Sequence, residues 1–186
     1  MTIGTPAPRG EVVEEHGARF EVFALPADEA SLLEILKDCF KEWEHIHMGP
    51  LIPGALWEIR PPCEPDISLA DGYATVDFKD WHFHLCIGKP RGASLEMTEM
   101  RRTNRVELYR RLNQEEAPIW WRLRFLNGAG DQQLTFMLPR PFPADQQRLE
   151  DEPTPGGLGL WDHLLLKSVA SEPGNAGHPF HGMLHD

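Results

Sequence analysis

Alternating apolar and polar residues predict three strands in the first half of the chain, because successive side chains of a strand point to opposite faces. The first is Arg19–Leu25 and the second is the shorter Ala55–Arg60. The third is the long run Tyr73–Ile87, which the charged pair Lys79 and Asp80 interrupts, so we expect a bend or bulge there. These three segments are expected to share one sheet.

Turn-forming residues divide the remaining strands and loops. Ile119–Leu126 and Gln132–Leu138 flank the glycine-rich stretch 127–131, an arrangement that is typical of a β-hairpin. Residues 63–72 carry proline and glycine turn signals, and we predict a loop there.

Apolar residues spaced three and four positions apart predict helices, because that spacing places them on one face. The first helix follows Asp28 or Ser31, either of which can cap its start, and it ends at Gly49. Leu95–Leu112 is predicted as a second helix, on which several arginines lie. Leu158–Ala170 is predicted as a short third helix, and it is too apolar to remain in water, so we expect it to dock on the core.

The order of these elements, β-α-β-β-α-β-β, predicts an α+β fold. We expect a single, mostly antiparallel sheet with the two main helices on one face, in a ferredoxin-like arrangement, followed by a C-terminal helix and tail. A sheet curled into a half-barrel around a pocket is the alternative. The expected divisions are a flexible arm (1–17), a core domain (18–143), and a C-terminal region (144–186) that comprises a linker, the docked helix and a mobile histidine-containing tail.

The composition is that of an acidic globular protein. The chain has 18 Lys and Arg against 29 Asp and Glu, a net charge of −11, which disfavours binding to nucleic acid or to anionic membranes. Its three cysteines follow no paired spacing, which favours a reducing compartment over a disulfide scaffold. Residues 1–17 lack the apolar core of a signal peptide, and no apolar run approaches the roughly 20 residues of a membrane span. We therefore predict a cytoplasmic protein.

The clearest chemical feature is the run that begins at Trp81. Its alternation places His82, His84 and Cys86 on one face of a strand and aromatic or aliphatic residues on the other. Neutral imidazole and thiolate are both metal ligands, and neighbours on one strand face lie about 6–7 Å apart. The pattern therefore predicts a metal site. Histidines on a solvated face without a metal are the alternative interpretation.

The sequence Trp81-His82-Phe83-His84-Leu85 resembles the zinc-bearing strand of alpha-type carbonic anhydrases, in which Phe-His-Phe-His-Trp carries two ligands. The resemblance covers these five residues. It implies a geometry in which two imidazoles on one strand reach the same ion.

Several residues could complete such a site. His47, near the end of the first predicted helix and on the side of its buried stripe, is the preferred third ligand, and Cys86 is a further one. The alternatives are Glu44, Glu58, Asp80 and, if the third helix docks nearby, His163. Zinc is the expected metal because it suits imidazole and thiolate, and iron is the alternative if a carboxylate completes the site.

Three hypotheses about function follow. The first is a small metal-dependent enzyme or metal-binding protein, whose reaction the sequence leaves open. The second is a non-catalytic module for a small-molecule ligand, with Arg101 and Arg105 of the predicted second helix as an anion clamp and Trp81 in the pocket wall. Alternatively, these arginines form ion pairs with nearby glutamates and bind no ligand. The third hypothesis is a regulatory protein that acts through a partner.

Overall fold

The structure, a computed structural model, describes residues 10–15, 17–52, 54–139 and 159–168, so the predicted linker 144–157 and tail 172–186 lie outside it. Its strands, in chain order, are β1 (Glu11–Glu15), β2 (Ala18–Leu25), β3 (His47–Gly49), β4 (Leu51–Ile52), β5 (Ala55–Leu56), β6 (Asp66–Ala70), β7 (Tyr73–Asp77), β8 (His82–Cys86), β9 (Thr103–Leu112), β10 (Pro118–Asn127) and β11 (Gln132–Met137). The helices of the described residues are α1 (Glu29–Lys41), α2 (Leu95–Arg101) and α3 (Gly159–Ser168), with a 3-10 turn at Trp43–His45.

The strands divide among separate sheets. Six of them form one sheet in the order β1-β2-β9-β10-β11-β3, and each ladder in it is antiparallel. Strands β6, β7 and β8 form a second antiparallel sheet, and β4 pairs with β5 in a short hairpin. The α+β class with mostly antiparallel strands is therefore confirmed, whereas the single ferredoxin-like sheet is not.

The register of β9 against β10 creates two unlike faces on the six-stranded sheet. Leu108 lies opposite Leu123, and the next pair is Tyr109 opposite Arg122. Because antiparallel partners point to the same side, the leucines share one face and the polar pair shares the other. Phe23 of β2 extends the leucine row, so one face of the sheet is apolar.

Helix α1 fills the space between the six-stranded and three-stranded sheets. The ring centroid of Phe40 lies 5.3 Å from that of Phe136 in β11 and 5.6 Å from that of Phe78, which follows β7. The start of the helix is capped by Asp28, whose carboxylate accepts a hydrogen bond from the backbone N–H of Ser31. The buried apolar stripe of α1 consists of Leu32, Ile35, Leu36, Cys39 and Phe40.

Helix α3 lies against the apolar face of the six-stranded sheet. The indole of Trp161 packs edge-on against the ring of Phe23, with centroids 5.8 Å apart, and it is almost completely buried. The guanidinium of Arg110 lies 5.6 Å from the Trp161 ring centroid, within the range of a cation–π contact. Leu160 and Leu164 are buried beside the indole, so one side of the helix is part of the core.

A buried carboxylate joins α3 to α1. Asp38 of α1 lies 2.8 Å from Nε2 of His163 and 3.2 Å from Nζ of Lys167, both on α3. Nζ of Lys41, which is on α1 like Asp38, lies 2.7 Å from the other oxygen of the Asp38 carboxylate. Asp38 is thus surrounded by cationic or hydrogen-bonding groups from both helices.

The long strand predicted over Tyr73–Ile87 is in fact the hairpin of β7 and β8. Lys79 adopts a positive φ of 75°, and its backbone N–H donates to Oδ1 of Asp77 at 2.8 Å. The backbone N–H of Phe78 donates to the carbonyl of Trp81 at 2.9 Å and closes the turn. The charged interruption therefore reverses the chain rather than bending a strand.

The predicted second helix is helical in its first part alone. Helix α2 ends at Arg101, and β9 begins at Thr103 and lies between β2 and β10. Hydrogen bonds to two neighbouring strands outweigh the local helix preference of this segment. As a result Arg105 lies on a strand and is not one helical turn from Arg101.

Two segments predicted to lack regular structure are strands. Residues 11–15, assigned to the flexible arm, pair with β2, and residues 66–70, assigned to a loop, pair with β7. The turn between β6 and β7 is Asp71-Gly72, with φ of 52° and 80°, the backbone that a two-residue hairpin turn requires. No helix in the described part of the chain is long and apolar enough to cross a membrane.

We expect Trp161→Ala to lower the free energy of unfolding by about 3 kcal/mol, because it removes a buried indole and leaves a cavity beside Phe23. Leu166→Ala is the matched control, since Leu166 lies on the same helix and is 70% exposed. Urea unfolding followed by circular dichroism measures both losses. Equal small losses in the two variants would mean that α3 does not pack against the sheet in solution.

Asp38 should make the stability of the fold depend on pH. Burial raises the pKa of this carboxyl, but hydrogen bonds from Lys41, His163 and Lys167 outweigh that effect and lower the pKa from 3.8 to about 2. Because the folded-state pKa is below the unfolded one, the contribution is present above about pH 4 and is lost as the pH falls towards about 2. The contribution corresponds to about 2 kcal/mol.

The measurement is the free energy of unfolding between pH 6 and pH 2 for the wild type and Asp38→Asn. We expect the gap between the two proteins to close on acidification by about 2 kcal/mol. A gap that stays constant across this range would contradict the role given to Asp38.

Candidate functional site

Strand β8 carries the predicted histidine row. His82 and His84 are exposed on one face of the strand, as the alternation predicts, and their ring centroids lie 5.0 Å apart. Nδ1 of His84 lies within hydrogen-bond distance of the Thr75 hydroxyl on β7, at 2.8 Å. Cys86 is on the same face by alternation but is buried at the end of the strand.

The thiol of Cys86 is not prepared for metal binding. Burial raises its pKa, and the hydrogen bond from Tyr73 and the positive charges of Arg101 and Arg102 oppose this in part. Its sulfur lies 3.7 Å from the carbonyl oxygen of Gly88, to which the thiol donates. A neutral thiol with a raised pKa is a poorer ligand than a thiolate.

The structure does not assemble the predicted metal ligands. Among the described residues, no group of three or more His, Cys, Asp or Glu side chains is arranged to hold a metal ion. His47 does not lie on a helix, because α1 ends at Lys41 and the chain continues as β3 of the other sheet. Metal binding by His82 and His84 therefore stays a prediction, and the arrangement supports neither zinc nor iron there.

The predicted arginine clamp is divided between two places. Arg101 is exposed at the end of α2, whereas Arg105 is half-buried and its Nε lies 3.2 Å from Oε1 of Glu107. Trp81 stacks on Phe78, with ring centroids 4.3 Å apart, and packs against the core. Arg105 belongs instead to a cluster that the sequence analysis did not identify.

That cluster lies on the six-stranded sheet, on the face opposite to the apolar one. Its members alternate along β9 and β10 with core residues, and cross-strand partners point to the same side. We call it the arginine face, and its residues include Arg105, Glu107, Tyr109, Arg111, Trp120, Arg122 and Arg124.

A buried ion pair occupies the centre of the arginine face. Arg124 is 2% exposed, and its Nε donates to Oε2 of Glu107 at 2.6 Å, with a second contact from Nη2 to the same oxygen. Arg105 contacts the other oxygen of this carboxylate. The single negative charge of Glu107 is therefore shared by two guanidiniums, whose positions it fixes.

Arg122 differs from these two arginines. It is half-buried, and its guanidinium carbon lies 4.4 Å from the ring centroid of Trp120, a cation–π contact. It also hydrogen-bonds to the hydroxyl of Tyr109, whose pKa is raised chiefly by burial, so the phenol is protonated at neutral pH. No carboxylate of the described residues forms an ion pair with Arg122.

An aromatic patch adjoins the charges. The ring of Phe20 lies 5.7 Å from that of Trp120 and 6.5 Å from that of Tyr109, and Val13 and Val22 pack against them. Phe20 and Tyr109 are buried, so the apolar surface on this side of the sheet comes from the half-buried Val13, Val22 and Trp120. Together with Arg122, which lacks a carboxylate partner among the described residues, this surface suits an amphipathic anion.

The row that contains Arg122 continues to the edge of the sheet. Arg122 pairs with Met137 of β11, and Met137 pairs with His47 of β3. Both residues are half-buried and, by the pairing, on the arginine face. His47 therefore lies on the same sheet face as Arg122, with Met137 between them, and on a different sheet from the histidine row of β8.

Sequence patterning carried a signal for this site. In the hairpin strand β10, Trp120, Arg122 and Arg124 alternate with apolar residues, and an arginine in the middle of such a strand marks its non-core face. The pairing of that face with Glu107 and Tyr109 could not be found, because this segment was predicted as a helix.

The model of a family of unknown function, DUF7676, matches residues 9–169, so the chain belongs to this family. No curated protein matches the chain. A solved structure described as the crystal structure of ChuX is 14% identical, with a TM-score of 0.51 over 81% of this chain and 78% of that one. A second, described as the structure of the heme binding protein ChuX, has the same identity and coverage and a TM-score of 0.49. At this identity the first likeness shows the fold alone.

We expect Glu107→Gln to lower the free energy of unfolding by about 3 kcal/mol, because the amide keeps the shape of the side chain but leaves two guanidiniums without their counter-charge. Glu116→Gln is the matched control, since the pair of Glu116 with Arg19 is exposed and should contribute less than about 1 kcal/mol. Urea unfolding measures both. Similar losses in the two variants would show that the ion pair of the arginine face is solvated.

Proposed function

We propose that this DUF7676 protein is a non-catalytic binding module for a small amphipathic anion, held on the arginine face. The observation that carries the proposal is Arg122, half-buried against Trp120 and without an ion-pair partner among the described residues. Withdrawing a cation from water is costly unless a counter-charge accompanies it. A carboxylate of the ligand would supply that charge.

The neighbouring residues define the rest of the ligand. Trp120 is half-buried and forms part of an aromatic cluster with Phe20 and Tyr109, so a flat apolar body can pack beside it. Arg105 and Arg124 are already paired with Glu107. The anionic end of the ligand would be directed to Arg122, whose guanidinium lies over the ring of Trp120.

The same residues favour binding over catalysis. Tyr109 is buried, is hydrogen-bonded to Arg122 and has a raised pKa, so it remains protonated and is neither a base nor a nucleophile near neutral pH. Glu107 is held between two arginines, which occupy both of its oxygens. Neither group is available to take a proton from a substrate.

Heme has the chemistry that this face would accept, because it is a flat apolar macrocycle with two carboxylates. It is also the ligand named in the description of one ChuX structure. The likeness of fold assigns no ligand, and the case for a porphyrin rests on Arg122 and Trp120. Porphyrins are therefore the first class of ligand to test.

Metal-free protoporphyrin IX is the probe, titrated into the full chain while the tryptophan fluorescence is followed. We expect Arg122→Gln to weaken its binding at least about tenfold, since a charge-assisted hydrogen bond contributes about 1.5–3 kcal/mol. Arg91→Gln is the matched control, because Arg91 is 83% exposed and pairs with Asp71 at the turn of another sheet.

The dimethyl ester of the same porphyrin separates charge from shape. The wild type and Arg122→Gln should bind the ester with equal affinity, because the ester has no carboxylate to pair with the guanidinium. Failure of protoporphyrin IX to bind the wild type, or equal weakening of acid and ester by the substitution, would contradict the proposal.

A further inference from the structure

We propose that His47 is the ligand for the metal at the centre of a metalloporphyrin whose carboxylate pairs with Arg122. The inference rests on the proposed function and adds to it the identity of the metal-binding side chain. It is carried by the register of β10, β11 and β3, which places Arg122, Met137 and His47 in one row.

The spacing along this row suits a macrocycle. Neighbouring strands are about 4.8 Å apart, so the backbones of Arg122 and His47, with one strand between them, are separated by about 10 Å. The row thus has a guanidinium at one end, a thioether in the middle and an imidazole at the other end. A porphyrin has carboxylates at its rim and its metal at its centre. Arg122 would therefore face a carboxylate at the rim, and His47 would face the metal.

Met137 suits the space between the two polar groups. Its side chain is half-buried, unbranched and polarisable, and thioethers make favourable contacts with aromatic rings. It would support the apolar body of the macrocycle. A charged side chain at this position would instead compete with Arg122 or with its ligand.

The backbone of His47 is held firmly at the sheet edge. The next residue, Met48, is buried in the core, and its N–H and C=O both bond to Ile59, at 2.9 Å and 2.8 Å. A Cβ atom at Gly49 would approach the carbonyl oxygen of Trp57 to 2.3 Å, so the backbone of Trp57 packs closely against β3. A ligand on a rigid element keeps its orientation before the metal arrives.

The ring of His47 is available for coordination. Within the described residues it forms no hydrogen bond and no ion pair, whereas the imidazole of His84 bonds to Thr75 and that of His163 to Asp38. Neutral imidazole is a common ligand of porphyrin iron. His47 is the histidine of the described residues that lies in a strand of the six-stranded sheet.

The test compares ferric hemin with metal-free protoporphyrin IX on the wild type and on His47→Ala. We expect the substitution to weaken hemin binding at least tenfold and to shift its Soret and visible bands, while protoporphyrin IX binds with unchanged affinity. Added free imidazole should restore the spectrum of the hemin complex. His45→Ala is the matched control, because His45 is exposed in the 3-10 turn two residues earlier and should leave both ligands unaffected.

The outcomes separate this inference from the proposed function. If His47→Ala binds hemin with unchanged affinity and spectrum while Arg122→Gln weakens both porphyrins, the role of His47 is overturned and the proposed function stands. If neither porphyrin binds the wild type, both are overturned. Loss of both ligands in a folded His47→Ala protein, checked by circular dichroism and thermal unfolding, would show a role in shaping the face and would overturn metal ligation.

Discussion

The antiparallel pairing of β9 with β10 determines what each face of the six-stranded sheet can contact. Both strands have ten residues, and their register puts Leu108 with Leu123 on one side and Tyr109 with Arg122 on the other. A slip of one residue would turn the arginines of β10 towards α1 and the leucines away from the core. Because such a slip would bury unpaired cations, the register is strongly specified. It determines which face packs against α1 and α3 and which face carries the arginines.

The buried or half-buried charges of this protein differ in whether they have a partner of opposite charge among the described residues. The carboxylate of Asp38 pairs with Lys41 and with groups from α3, and the carboxylate of Glu107 is shared by Arg124 and Arg105. Each of these sets satisfies its carboxylate within the described residues. Arg122, half-buried on the same face as Glu107, has an aromatic ring and a phenol as neighbours but pairs with no carboxylate in the described part of the chain. That contrast is the basis of our proposal that Arg122 pairs with a ligand, whereas the other pairs stabilise the fold.

The elements predicted correctly from the sequence are those specified locally. The capped helix that follows Asp28, the hairpin around residues 127–131 and the shared face of His82 and His84 all depend on residues close together in the chain. The segment 103–112 depends instead on β2 and β10, which pair along both of its edges. Its leucines and arginines also fit a helical spacing, so the local pattern could not decide between helix and strand.

The candidate site was hidden for the same reason. His47, Arg122 and Met137 form one row through strand pairing, although His47 is far from the other two in the sequence. Periodicity could assign each residue a face of its own strand, but the order of the strands in the sheet decides which faces are combined. A pair of histidines close together in the sequence, such as His82 and His84, is therefore easier to predict as a site than a row of residues from three different strands.

The acidic character of the chain does not oppose an anionic ligand on the arginine face. The net charge of −11 is that of the whole chain, and at physiological ionic strength exposed charges are screened beyond about 8 Å. Screening is weaker for partly buried groups, so the local balance around Arg122 outweighs distant carboxylates once a ligand is in contact. The overall charge should slow the approach of an anion more than it weakens the complex, since long-range fields act mainly on association rates. In the proposed complex, selection between ligands would then depend on short-range groups, namely the guanidinium of Arg122, the ring of Trp120 and the imidazole of His47.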